Sequence, residues 1–187
     1  MSLPSIIGLY SPVMGSGKST VSQVLSQEFG YTVVKFAGPL KAMTEAFLFE
    51  YGLEPEDIPK YIEGDLKEKL IPGLWVSPRR IMQTLGYEWG QKQISEDLWV
   101  NMTMTKIRQL TRAGLSVVVD DLRYPQEFSA LRERGAELVT VLRDGNIDTV
   151  THRSEGLLRE HPFTRVIENS GTIEELKAKT RSWVFSL

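Results

Sequence analysis

The residues best suited to chemistry lie together in Gly15-Ser16-Gly17-Lys18-Ser19-Thr20. A polyphosphate carries several negative charges in a small volume. Backbone N–H groups can surround it only where no Cβ blocks their approach, which Gly15 and Gly17 allow. Lys18 supplies a mobile ammonium for the β- and γ-phosphates, and the Ser19 hydroxyl is placed to ligate Mg²⁺. The whole run, Ser16 and Thr20 included, is therefore expected to hold the phosphates of a bound nucleotide. One residue departs from the phosphate-binding (P-loop) pattern. Pro12 stands five residues before Gly17, where glycine is usual, and proline lacks an N–H and fixes φ near −65°.

A second chemical signal is Asp120-Asp121, which follows the apolar run Leu115–Val119. A carboxylate at the C-terminal end of a buried strand would hold a Mg²⁺-bound water beside Ser19. The spacing leaves open which aspartate is nearer the metal. Arg123 lies two residues further on. Cations also stand where helix dipoles disfavour them. Lys41 falls in the first turn of one expected helix, and Arg79 and Arg80 in that of another. Either solvation or a nearby anion accounts for them. Arg143, His152, Arg153 and Arg159 lie in or beside a polar stretch, and His152 reads equally well as an exposed helix residue.

The elements that must position these groups alternate. Ile6–Tyr10 reads as a buried strand, and Val21, Val24, Leu25 and Phe29 mark the helix after the loop. Thr32–Phe36 is a β-branched strand, and Leu40–Tyr51 a helix ended by Gly52. Glu54–Val76 holds three prolines and mixed charge, so loops and short helical pieces are expected there. Ser77 and Pro78 read as the cap and first position of a helix that Gly86 interrupts. Leu98–Ala113 is a helix, Leu115–Val119 a strand, Pro125–Arg134 a helix and Glu137–Leu142 a strand. Ile147–Glu160 has helical period, Val166-Ile167 a short last strand. Thr172 then caps Ile173–Ser182, with Glu175 at the capping-box position.

The chain has 187 residues, enough for one well-buried α/β domain. Its 22 Lys+Arg against 24 Asp+Glu create no basic field for a nucleic-acid polymer. The absence of cysteine excludes thiol catalysis and zinc-thiolate sites and suits a cytoplasmic protein. No apolar run approaches the roughly 18 residues that a spanning helix needs.

Four stretches together resemble the bacteriophage deoxynucleoside monophosphate kinase family, within the P-loop nucleoside-monophosphate-kinase-like proteins. They are Gly15–Thr20; Phe36–Lys41 (FAGPLK); Pro78–Gln91 (PRRIMQTLGYEWGQ) with Asp97–Trp99; and Asp120–Glu127 (DDLRYPQE). His152–Glu155 with Ile167–Leu176 is a weaker match. The resemblance implies an α/β three-layer sandwich with a central parallel sheet of about five strands flanked by helices. It implies one kinase domain over 1–187, with an acceptor-binding region near 38–100 and a lid near 144–165. The implied reaction moves the γ-phosphoryl of ATP to a deoxynucleoside 5′-monophosphate, with Mg²⁺ present. Lys18 and Ser19 carry over as the ATP-phosphate and Mg²⁺ residues. Arg79, Arg80, Gln83, Glu88 and Trp89 fall in the acceptor motif, with Lys41 and Arg123 beside it. Asp121, Arg123 and Arg143 join Lys18 as the expected catalytic set, and Arg153 lies in the lid. Asn169 matches the turn expected near the donor adenine. Gln91 and Arg165 depart from the family pattern, as Pro12 does. The partners implied are nucleotides, with no polymer or membrane, and homodimerisation stays open. Two other readings compete: a kinase resembling dephospho-coenzyme A kinase, and a non-catalytic nucleotide-binding module.

Overall fold

The structure is a computed structural model that describes residues 3–13, 15–143 and 157–187. Five strands form one sheet: β1 Ile6–Tyr10, β2 Thr32–Val34, β3 Val117–Leu122, β4 Glu137–Leu142 and β5 Arg165–Glu168. Every pairing is parallel and the order is β2-β3-β1-β4-β5. Parallel neighbours need crossovers, which α1 Lys18–Phe29 supplies after β1 and α6 Pro125–Glu133 after β3. The first crossover leads to one side of β1 and the second to the other, so the C-terminal ends of β1 and β3 border a topological switch point.

Both faces of the sheet are covered. On one, Ile7, Leu9, Val118, Val139 and Val141 pack against Val21 and Leu25 of α1 and Leu176, Trp183 and Val184 of α7 Ile173–Phe185. Arg181 of α7 makes a two-pronged ion pair with Glu28 of α1 at 2.7 and 2.7 Å. On the other face, Leu131 of α6 packs with Leu122 and Leu138 over Gly8. Near-continuous burial along β1 and in Val117–Val119 is what a sheet sandwiched between helices demands.

The chain divides into two compact units. One comprises residues 1–36 and 104–187 and holds the sheet; the other is residues 37–103. The second unit contains α2 Gly38–Glu50, α3 Ile58–Ile62 and α4 Pro78–Gln83. It has its own small core of Leu48, Ile58, Ile62 and Ile71, with Leu53, Tyr61, Leu74 and Ile81 packed on it. α5 Leu98–Arg112 starts in this unit and ends in the first.

Most expected elements among the described residues appear within a residue or two, and the helical stretch expected over Ile147–Glu160 lies mostly outside those residues. Four differ in a way that has a cause. β2 ends at Val34 rather than Phe36, because the Phe36 N–H donates to Asp121 Oδ1 at 2.8 Å instead of to a strand. β3 runs on to Leu122 and so includes both aspartates. The expected break at Gly86 does not occur. The chain instead continues from α4 as a wide, π-type helix over Thr84–Ile94. There the Trp99 indole N–H donates to the Gly86 carbonyl at 2.8 Å. α7 extends beyond Ser182 to Phe185, because Trp183 and Val184 are core residues.

Candidate active site

The loop after β1 is held from behind. Ser11 closes its first turn, its hydroxyl donating to the Val13 carbonyl at 3.0 Å and accepting from the Val13 N–H at 3.3 Å. Pro12 is buried in that turn, so the usual glycine is replaced by a fixed, packed residue. Further along, Arg143 Nη1 donates to the Gly15 carbonyl at 3.2 Å, and Asn169 Nδ2 donates to the Ser16 carbonyl at 2.8 Å. In a trans peptide the C=O and the following N–H point in opposite directions. The Ser16 and Gly17 N–H groups are therefore turned away from Arg143 and Asn169. Gly17 then starts α1 at φ 101°, and Gly15 also has a positive φ of 72°. A Cβ on Gly17 would lie 2.7 Å from Asn169 Nδ2 and 2.6 Å from Leu176 Cδ2, so the close fit requires glycine twice over. Lys18, Ser19 and Thr20 form the first turn of α1, with Ser19 exposed.

Asn169 is itself locked. It is 8% exposed, and its backbone N–H donates to the Leu142 carbonyl at 2.6 Å. Immediately beyond it, Ser170, Gly171, Glu175, Ala178 and Lys179 line an open hollow of about 450 Å³. Thr172 and Glu175 form the expected reciprocal cap, which fixes the start of α7 at its edge.

Asp120 and Asp121 occupy an irregularity in β3. Gly8 pairs with Val119 but Tyr10 with Leu122, so β3 carries one extra residue there. The consequence is visible in the packing. Val118 faces α1 while Leu122 faces α6, although an unbroken strand would put both on one side. The two aspartates differ in company. Asp121 Oδ1 accepts from the Phe36 N–H. Asp120 Oδ1 is buried and, among the described residues, has no hydrogen-bond partner.

Past β3, Glu127 shapes the turn that carries Arg123. Its Oε2 accepts from the Arg123 N–H at 2.8 Å and the Tyr124 N–H at 3.0 Å. Burial raises its carboxyl to about 8, outweighing those two donors, which favour the charged form. Arg123 itself is exposed. The DDLRYPQE stretch contained Glu127, but only the fold reveals that it holds the turn.

The cations of the second unit are not isolated. Lys41 is ion-paired with Glu63, and Arg79 with Glu68. Arg80 is exposed, its N–H capped by the Ser77 hydroxyl at 3.3 Å. Gln83, Glu88, Trp89 and Gln91 are exposed, with Glu88 bound to Lys92 at 3.1 Å. Trp89 lies 6.4 Å from Trp99, ring to ring. The expected lid residues His152 and Arg153 lie outside the described residues. Among the described residues no group of three or more His, Cys, Asp or Glu could hold a metal, and no helix is long and apolar enough to cross a membrane.

A parallel sheet in this order, with a glycine-rich loop leading from its central strand into a helix, defines a P-loop kinase-like α/β protein. Comparison with known proteins is more specific. Residues 72–180 match the family described as deoxynucleotide monophosphate kinase, and the chain belongs to that family. That stretch takes in the Pro78–Gln91, Asp120–Glu127 and Asn169 segments but not the phosphate loop. A protein of Acanthamoeba polyphaga mimivirus that carries the same name is 28% identical over 91% of this chain and 91% of its own. The deoxynucleotide monophosphate kinase of Enterobacteria phage T4 is 31% identical over 57% of this chain, a match that spans 44% of the T4 protein. Among solved structures, a dephospho-CoA kinase from Campylobacter jejuni superposes with a TM-score of 0.47 and 12% identity, over 97% of this chain and 96% of that one.

Proposed function

We propose that the chain transfers the γ-phosphoryl of ATP to a deoxynucleoside 5′-monophosphate, yielding ADP and the deoxynucleoside diphosphate. The observation that carries this reading is the pinned loop. Two carbonyls are drawn back by Arg143 and Asn169, and the Ser16 and Gly17 amides face the other way, next to Lys18. Such an array of donors at a helix N-terminus suits the phosphates of a nucleotide. The hollow beside Asn169 is the space on this unit where the donor's adenosine would lie. Asn169 itself serves that site by holding the loop rather than by touching the base.

The residues also fit a magnesium ion. Asp120 presents a buried oxygen without a hydrogen-bond donor, a costly arrangement that a cation would relieve. With the Ser19 hydroxyl it offers few protein ligands, which suits an ion that takes most of its shell from water and phosphate oxygens. Asp120 is thus the metal-side carboxylate, and Asp121 the residue that fixes the end of β2. When bound, the ion would neutralise charge between the β- and γ-phosphates.

The protein's part in the transfer is then positioning and charge neutralisation. An oxygen of the acceptor phosphate attacks the γ-phosphorus in line. The bond to the bridging oxygen breaks, and ADP departs with that electron pair. Lys18 stabilises the charge gathering on the leaving side. The residues of unit 37–103, with Arg79 and Lys41, hold the acceptor, Arg123 neutralises phosphate charge, and Arg143 acts through the loop whose Gly15 carbonyl it holds.

The test is a coupled ADP-release assay with ATP, Mg²⁺ and a panel of deoxynucleoside monophosphates, with dephospho-coenzyme A alongside. Turnover with one or more deoxynucleoside monophosphates is expected, and Lys18→Ala should lower it by at least about 100-fold. Turnover with dephospho-coenzyme A alone, or near-normal activity in Lys18→Ala, would overturn the assignment.

A further inference from the structure

The segment between α3 and α4 holds more charge than a solvated connection needs, and its charges are ordered. Glu63 is paired with Lys41 and Glu68 with Arg79. Between those two glutamates in sequence stands Lys67. Its carbonyl accepts from the Arg79 N–H at 3.1 Å, so Lys67 and Arg79 are tied together at the backbone. All these residues belong to the one unit 37–103.

We propose that Lys67 is a third cation of the acceptor-phosphate site, and that Glu63 and Glu68 are internal stand-ins that occupy the site's cations until the acceptor phosphate displaces them. The inference rests on the kinase reading above and deepens it.

Three considerations support it. First, the Arg79 backbone is bound to that of Lys67, and like charge acts on the Lys67 side chain. The Lys67 ammonium is held below its ordinary range by burial first, and then by repulsion from Arg79 and Lys41. A fold gains nothing by gathering cations unless an anion answers them. Second, the anions that answer them here stand at the surface. Side-chain exposure is 54% for Glu63 and 61% for Glu68, against 19% for Lys41. Exposed carboxylates on long side chains are weakly bound and can swing aside at little cost. A phosphate monoester brings close to two negative charges and three acceptor oxygens, so it outcompetes a single carboxylate for the same donors. Third, the cations differ in kind. Arg79 offers a planar fork, while Lys41 and Lys67 offer compact point charges, a mixture that can surround a tetrahedral group.

The stand-in role separates this from a structural salt bridge, because it gives opposite signs for the two partners. The acceptor KM and dissociation constant are measured by steady-state kinetics and by calorimetry with the preferred deoxynucleoside monophosphate. Lys67→Gln is expected to raise both by roughly tenfold, with the KM for ATP unchanged and partial rescue by Lys67→Arg. Glu68→Gln and Glu63→Gln are expected to lower both by about twofold to fivefold. Circular dichroism and thermal unfolding check that each variant folds. Unchanged acceptor binding in Lys67→Gln, or weaker acceptor binding in both glutamate variants, overturns the inference while wild-type turnover leaves the kinase reading intact. If the wild-type chain phosphorylates no deoxynucleoside monophosphate, the kinase reading falls and this inference with it.

Discussion

Glu127 is the residue whose environment most changes its chemistry. It is buried, its carboxyl is raised to about 8, and one oxygen accepts two backbone N–H bonds at the turn carrying Arg123. The neutral acid can keep both bonds through Oε2 while Oε1 carries the proton. Because the folded value lies above the unfolded one, Glu127 stabilises the fold fully below about pH 4.5, and that contribution is lost as pH rises through about 8. We expect urea-unfolding free energies to fall by a few kcal/mol across that window. In Glu127→Gln, whose amide oxygen can accept the same bonds, the fall should disappear. A wild-type curve that is flat from pH 5 to 8 would show that Glu127 is charged in the folded chain. A sequence reading places an acid in the DDLRYPQE stretch. It does not say that the acid faces inward, because orientation after a bulge in β3 cannot be counted from the residues before it.

The phosphate loop depends on elements far from it in the chain. Asn169 follows β5 and Arg143 follows β4, yet each holds a carbonyl of the loop between β1 and α1. This arrangement accounts for the tolerance of Pro12. The turn that a first glycine would shape is closed by Ser11, and the rest of the loop is oriented from behind. Asn169→Ala should therefore raise the KM for ATP by roughly tenfold while the acceptor KM holds, since it frees the loop without removing a ligand. An equal loss toward both substrates would point to general unfolding of the site. The wide helix Thr84–Ile94 has its own dependence. A Cβ on Gly90 would come within 2.5 Å of the Trp99 ring, whose indole N–H holds the Gly86 carbonyl. Gly90→Ala is expected to destabilise the chain by about 1–3 kcal/mol, read from denaturant midpoints. A change below about 0.5 kcal/mol would mean that the indole can move aside. The sequence marked Gly86 as a helix breaker and assigned Gly90 no role. The fold instead uses Gly90 to admit an aromatic ring.

On the proposed reading the donor phosphates lie at the C-terminal edge of the parallel sheet, where β1 and β3 meet the switch in strand order. Binding there must stabilise the folded chain. ATP with Mg²⁺ at about 100 times its dissociation constant should add about 2.7 kcal/mol to the unfolding free energy, and Lys18→Ala should abolish the gain. A shift that persists in Lys18→Ala would locate the nucleotide elsewhere. Much of this architecture was legible in the residues alone. Apolar runs of strand length, helical spacing and turn residues are local signals, so β1, α1, α6, β4 and the capped start of α7 were readable directly. Gly15–Thr20 and Asp120-Asp121 suggested by type and order the chemistry proposed for them. What only the tertiary structure decided was partnership. Asn169 belongs to the loop at Ser16, Asp121 to the Phe36 amide and the Lys67 carbonyl to the Arg79 N–H, while Asp120 keeps a buried carboxylate oxygen without a hydrogen-bond donor among the described residues. These pairings join positions separated by many residues. Those on the sheet follow from strand order and one bulge, and the Lys67 contact from how the helices of its own unit pack; no local pattern encodes either.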